Sequence, residues 1–181
     1  MHVSSGASGH DRSDCGASTT PCARVQYALD KAVDGDRILL DTNYEFVFKQ
    51  NLRIDKNVII TSYTSPPKLG NTNEYATIVF LNTKLPSDGL VNLSCNFTAT
   101  NINFTIRCTN QVRFVCLFRM YRYFGTIRMH NCLIHLHLDF WNYLSILSTG
   151  GFKWKFDFQN TKFTAAPSIY TTGSKIPGRS L

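Results

Sequence analysis

An asparagine recurs in this chain at the head of a short apolar run: "NVIIT" from Asn57, "NINFT" from Asn101, "NCLIH" from Asn131 and "NTKFT" from Asn160. The third position after it is always large and apolar (Ile60, Phe104, Ile134, Phe163), and the fourth is Thr61, Thr105, His135 or Thr164. In the last three copies the residues four and two before the asparagine are apolar as well: Phe97 and Ala99, Ile127 and Met129, Phe156 and Phe158. The first copy departs from this, with Arg53 and Lys56 near those places. The spacing is 30 residues from Asn101 to Asn131 and 29 from there to Asn160. The interval of 44 from Asn57 to Asn101 asks for an inserted loop, which "SYTSPPKLGNTNEY" supplies.

Helical repeats would show a period of 3.6, whereas these units alternate, are rich in Val, Ile, Phe, Thr and Tyr, and carry turn residues between short runs. Each unit therefore reads as a group of strands. A strand–Asn–strand unit of this length predicts an all-β, parallel β-helix, because inward side chains that one coil cannot bury alone are buried by stacking on the next. An inward asparagine at a bend is tolerated if its amide bonds to the asparagines above and below, so Asn57, Asn101, Asn131 and Asn160 are expected to form a structural stack. The competing reading is an antiparallel sandwich whose hairpins happen to be punctuated by Asn.

The N-terminal stretch "DCGASTTPCARVQYALDKAVDGDRILLD" differs from the rest. Cys15 and Cys22 enclose a small, turn-forming segment suited to a short disulfide loop. "VQYALDKAV" reads as a helix with a buried stripe of Val25, Leu29, Ala32 and Val33. Asp34-Gly35-Asp36 then turns the chain into the strand "RILLD". A helix at this point covers the open end of a solenoid, where strand edges and an apolar cross-section would otherwise face water. The order Cys-Gly, Pro-Cys, short helix, Gly35-Asp36-x-Ile38 and "LRIDKNVIIT" resembles the cap and first coils of right-handed parallel β-helix proteins of the pectin-lyase-like superfamily. Among these it is most similar to polymorphic-outer-membrane-protein-like and generic β-helix surface proteins. The predicted organisation is a cap over residues 1–35, coils over 36–165 and a tail over 166–181. That tail has no amphipathic helix to cover the last coil, so a further continuation or end-to-end self-association is expected.

The net charge of +7 arises from 19 basic against 12 acidic residues, a shortage of carboxylates more than a surfeit of lysine and arginine. No apolar window is long enough for a transmembrane helix, since Arg113, Arg119 and Arg122 interrupt the richest one. The cysteine loop and the sequons at Asn92, Asn96 and Asn103 predict a secreted or cell-surface protein bearing N-glycans, although "MHVSSGASGHDRS" is not a signal peptide. The pairing of Cys95, Cys108, Cys116 and Cys132 stays open.

Hydrolases of the resembled superfamily gather aspartates on one face, and its lyases use carboxylate-bound calcium with a nearby base. Here Asp41, Glu45, Asp55, Glu74, Asp88, Asp139 and Asp157 are scattered, so no catalytic residue and no cofactor are assigned; a lyase or glycosidase acting on acidic polysaccharide is the alternative. His135, His137 and Asp139 share one parity and could ligate a metal, but His135 stands where the other copies carry Thr, which favours an ordinary outward polar residue. In "RFVCLFRMYRYF", Phe114, Cys116, Phe118 and Met120 are expected inward, leaving Arg113, Val115, Leu117, Arg119, Tyr121 and Tyr123 outward. Arg113, Arg119, Tyr121 and Tyr123 then form a strip suited to an acidic polysaccharide or cell-surface glycan, with guanidinium forks for anions and rings for sugars. No nucleic-acid motif accompanies the basic charge. The expected function is a noncatalytic structural or weakly glycan-binding module.

Overall fold

The computed structural model describes residues 1–63, 75–82, 89–108, 114–122, 124–137, 143–148 and 153–164. Within them the chain is mostly β, with one short helix and strands that pair in parallel. In order come β1 (His2–Val3), α1 (Val25–Lys31), β2 (Arg37–Asp41), β3 (Glu45–Phe48) and β4 (Leu52–Ile54). β5 (Val58–Tyr63), β6 (Ala76–Asn82) and β7 (Val91–Leu93) follow, then β8 (Phe97–Thr100), β9 (Ile102–Cys108) and β10 (Phe114–Met120). The last are β11 (Phe124–His130), β12 (Leu133–His137), β13 (Tyr143–Ser148), β14 (Lys153–Gln159) and β15 (Lys162–Phe163).

From β2 onward the strands visit three sheets in rotation, each strand pairing with the one three places later. The first sheet runs β1-β2-β5-β8-β11-β14, the second β3-β6-β9-β12-β15 and the third β4-β7-β10-β13. Register stacks like on like. Ile38, Ile60, Ala99, Met129 and Phe158 align across the first sheet, and Phe46, Ile78, Phe104, Ile134 and Phe163 across the second. Phe118 of the third sheet meets Phe97 of the first at a ring-centroid distance of 5.8 Å and Phe104 of the second at 6.3 Å, so one apolar core serves all three. Each such fully buried side chain contributes about 1.5–3 kcal/mol against exposure. The apolar positions flanking Asn101, Asn131 and Asn160 lie in this register as expected.

Asn57 does not belong to that set. Val58 pairs with Phe97, which places Asn57 beside Asn96 at the start of the first sheet's strands, whereas Asn101 and Asn131 follow the ends of theirs. Ile60 accordingly stacks on Ala99, not on Phe104. Comparing the front of one strand with the back of another accounts for 5 of the 44 residues in the long first interval, since Asn57 and the Asn96 beside it are 39 apart. Most of the loop assigned to it lies outside the described residues, as does the 166–181 tail.

At the N-terminus Cys15 and Cys22 are joined in a disulfide with a Cα–Cα distance of 4.9 Å. α1 buries Val25, Ala28 and Leu29, and Ala32 beyond it is also buried. Val33 is not part of the stripe: it is 65% exposed. The helix stops at Lys31, Ala32 is extended, and the chain is already turning where a helical projection would have aimed Val33 inward. The turn at Asp34-Gly35-Asp36 forms as expected, with Gly35 at a φ of 93° that suits a residue without Cβ. The Asp36 carboxylate accepts from Val33 N–H, and the Asp34 carboxylate accepts from Asn57 N–H and Nδ2.

Candidate functional site

Alternation on the third sheet buries Leu52 and Ile54 of β4 and leaves Arg53 outside, and it does the same around Asn92 of β7. Register then lines up Arg53, Asn92, Arg119 and Ser148 across all four strands. Neighbouring strands lie about 4.8 Å apart, so the two arginines stand roughly 10 Å apart at the backbone with Asn92 between them. The row crosses the strands; the strip expected from sequence ran along one of them.

Its chemistry is mixed. Arg53 is 72% exposed at the side chain and its guanidinium bonds the Asp55 carboxylate at 3.0 Å. That hydrogen bond raises the arginine's pKa and holds Asp55 below its ordinary value. The Arg119 guanidinium lies 5.3 Å from the Tyr121 ring centroid, and Tyr121 is 49% exposed. Asn92 Oδ1 is buried without a hydrogen-bond partner. Two local devices set the position of Arg119 and Tyr121. Gly89 lets the chain pass against β10, since a Cβ there would come within 2.7 Å of Arg119 N, and Trp154 Nε1 donates to Arg122 C=O at 2.8 Å. At the helix end, Arg53 borders a groove of about 530 Å³ lined also by Gln26, Asp30, Asn51, Asp55 and Lys56.

Of the residues expected in the strip, Arg119 and Tyr121 are brought together, while Arg113 and Tyr123 lie outside the described residues. Leu117, expected outward, is fully buried. Leu117 and Phe118 both go inward because alternation is interrupted just where β10 takes up its register with β7 at Phe118. Arg53 is absent from the expected strip, and Asn92 is expected only as a glycosylation sequon. The signal for them was the parity of Leu52, Ile54, Val91 and Leu93, which becomes legible only once those strands are known to be neighbours.

His135 Nδ1 lies 2.6 Å from Thr164 Oγ1, in line with its place as a polar outward residue; the His137 side chain and Asp139 lie outside the described residues. Among the described residues no three His, Cys, Asp or Glu side chains come close enough to hold a metal ion. The described carboxylates beyond the cap each have a partner: Asp41 accepts from Asn43, Glu45 from Arg107, Asp55 from Arg53, and Asp157 from Gln159. Glu74, Asp88 and Asp139 lie outside the described residues. Of the sequons, Asn96 is exposed, whereas Asn92 and Asn103 are half-buried in strands. Cys95, Cys116 and Cys132 are free thiols whose pKa values burial pushes up to about 11, 12 and 11. No helix among the described residues is long and apolar enough to cross a membrane.

Compared with known proteins, the chain matches no family model, no curated protein and no solved structure.

Proposed function

We propose that this chain is a right-handed parallel β-helix module, secreted or held at a cell surface, that binds acidic polysaccharide without cleaving it. The solenoid reading, and with it the likeness to pectin-lyase-like proteins, rests on the rotation of strands through three parallel sheets beneath a capping helix. One observation carries the binding reading: Arg53, Asn92 and Arg119 stand in register across the third sheet, with Tyr121 under the Arg119 guanidinium. A row suits a polymer better than a small molecule. Two guanidinium groups about two strands apart, that of Arg53 sharing its charge with Asp55, match repeated carboxylates or sulfates, and the tyrosine offers a sugar-stacking face.

Each exposed contact contributes about 0.5–1 kcal/mol, so binding is weak, salt-sensitive and dependent on several contacts at once. The test compares the natural chain with Arg53→Ala/Arg119→Ala and Arg119→Ala/Tyr121→Ala on an array of pectin, alginate and sulfated glycans at low and physiological salt, with circular dichroism to check folding. Binding that is lost in both variants, with no unsaturated or reducing-end products released, supports the reading. No binding by the natural chain, equal binding by the variants, or product release would each overturn it.

A further inference from the structure

At the helix end of the molecule, among the described residues, two of the three sheets are closed and one is not. The first sheet is extended by β1, which is itself bridged to Cys22. The third is closed by a side chain: Gln26 Nε2 donates to Arg53 C=O at 3.1 Å while Gln26 Oε1 accepts from Arg53 N–H at 3.0 Å, so one amide stands in for a neighbouring strand. On β3, the outermost strand of the second sheet, pairing reaches only β6, and among the described residues nothing bonds its outer edge. That edge opens on a groove of about 630 Å³ between β3 and the start of α1, lined by Val25, Gln26, Phe46, Val47 and Phe48, with Lys49 and Gln50 following β3 along it. Val47 is 50% exposed beside it.

We propose that this groove binds an extended peptide, which adds to β3 as a further parallel strand and places a carboxylate beside Lys49. Unpaired strand N–H and C=O groups are a template that peptide backbone matches, and the adjoining side chains select apolar residues at alternate positions. The parallel direction follows the rest of the sheet, in which every pairing is parallel. Charge fixes the end. Arg24 in the groove is paired with Asp11 and Glu45 with Arg107, whereas Lys49 is exposed and no described group neutralises it. A parallel peptide brings its C-terminal end to that ammonium, so a free α-carboxylate or a terminal Asp or Glu is preferred. This site lies on a different sheet from the arginine row and does not depend on the glycan reading.

The experiment uses fluorescent hexapeptides with Val, Ile or Phe at alternate positions, Thr or Ser between them and a free C-terminal carboxylate, titrated against the whole chain by anisotropy. Saturable binding is expected, weakened at least about tenfold by methylating the central backbone nitrogens, which removes strand hydrogen bonds without changing side chains. Amidating the peptide C-terminus, or Lys49→Glu in a chain shown to be folded, should also weaken it, and the two changes together should cost little more than either alone. Amide exchange at residues 45–48 should slow when peptide is bound. Absence of saturable binding across the set, or N-methylated peptides that bind as well as the parents, would overturn the proposal. If binding survives with full affinity in Lys49→Glu, the assignment of the carboxylate end is wrong.

Discussion

Two rows of asparagine border the strands of the first sheet, one before them and one after. In the leading row each side-chain oxygen takes the backbone N–H of the next strand: Asn57 Oδ1 accepts from Asn96 N–H at 3.0 Å, and Asn96 Oδ1 accepts from Thr126 N–H at 2.8 Å, while Asn57 Nδ2 donates back to the Asp34 carboxylate at 3.1 Å. Asp34 opens the same row by accepting from Asn57 N–H, so a carboxylate serves there as well as an amide. In the trailing row Asn101, Asn131 and Asn160 all have a left-handed backbone, with φ of 57°, 52° and 52°. There Asn131 Nδ2 donates to Asn101 Oδ1 at 2.6 Å, and Asn131 Oδ1 accepts from Tyr75 Oη at 3.1 Å. Every link of the leading row needs an acceptor; every position of the trailing row needs a residue that tolerates positive φ, and Asn131 must also offer both donor and acceptor, whereas Asn160 is exposed and keeps the backbone conformation without joining the side-chain stack expected of it.

The most damaging change to the trailing row is Asn131→Leu. An apolar side chain, lacking the local hydrogen bonds by which asparagine tolerates the left-handed region, costs about 1–2 kcal/mol there, and the stranded partners Asn101 and Tyr75 add about 1–3 kcal/mol. A loss of about 2–4 kcal/mol in urea unfolding is expected, and an unchanged midpoint would show that the row is only surface punctuation. Asn131→Gly separates the two contributions. Glycine accepts the backbone but removes the amide, so about 1–2 kcal/mol of the damage should disappear relative to leucine. Equal damage from both would mean that side-chain pairing, not backbone conformation, selects asparagine.

A third test reaches both rows through the thiols beside them. Cys95 precedes Asn96 and donates to Lys56 C=O at 2.8 Å; Cys132 follows Asn131 and donates to His130 C=O at 3.4 Å. Burial raises both pKa values from the ordinary 9.0 to about 11. The native state therefore keeps protons that the unfolded state has released, so their stabilising effect is complete below about pH 9 and is lost as pH rises toward 11. Unfolding free energy should decline across that window, and less so in Cys95→Ala/Cys132→Ala. Alkylation in native buffer at pH 8 should be slow for both.

How much of this could be read beforehand depends on how local each determinant is. The asparagine of the trailing row leaves a near-constant interval because one residue type meets a strict demand at every turn of the chain. Asn57 looks like a member of it in the sequence because the leading row imposes a looser demand and so has no regular signature of its own, being filled in turn by Asp34, Asn57 and Asn96. The helix was legible from its apolar spacing, yet Val33 was not, since an extended residue after the helix resets the direction of the next side chain. Arg119 and Tyr121 are two residues apart and visible as a pair. Arg53 and Asn92 join them only through pairings 39 and 27 residues long, set by register across three strands. Gln26 closes the β4 edge through a contact that no motif encodes.

The smallest predicted effect is the sharpest test of the contrast between the rows. Asn96→Ala removes one exposed acceptor and leaves Thr126 N–H to water, which should cost about 0.5–1 kcal/mol. Asn96→Asp keeps an oxygen at the same place, as Asp34 already does two strands earlier in the sheet, and Thr126 N–H can bond a carboxylate at least as well. It should therefore unfold within about 0.5 kcal/mol of the natural chain at pH 7. The same exchange in the trailing row, Asn131→Asp, removes the Nδ2 donor to Asn101 and sets an anion against an amide oxygen, and its cost should approach that of Asn131→Gly. If aspartate is tolerated equally at 96 and 131, the two rows obey one rule after all and the left-handed backbone alone explains the recurrence; if it is rejected equally, the leading row needs its amide nitrogen too, and the ladder that begins at Asp34 is only an accident of the first turn.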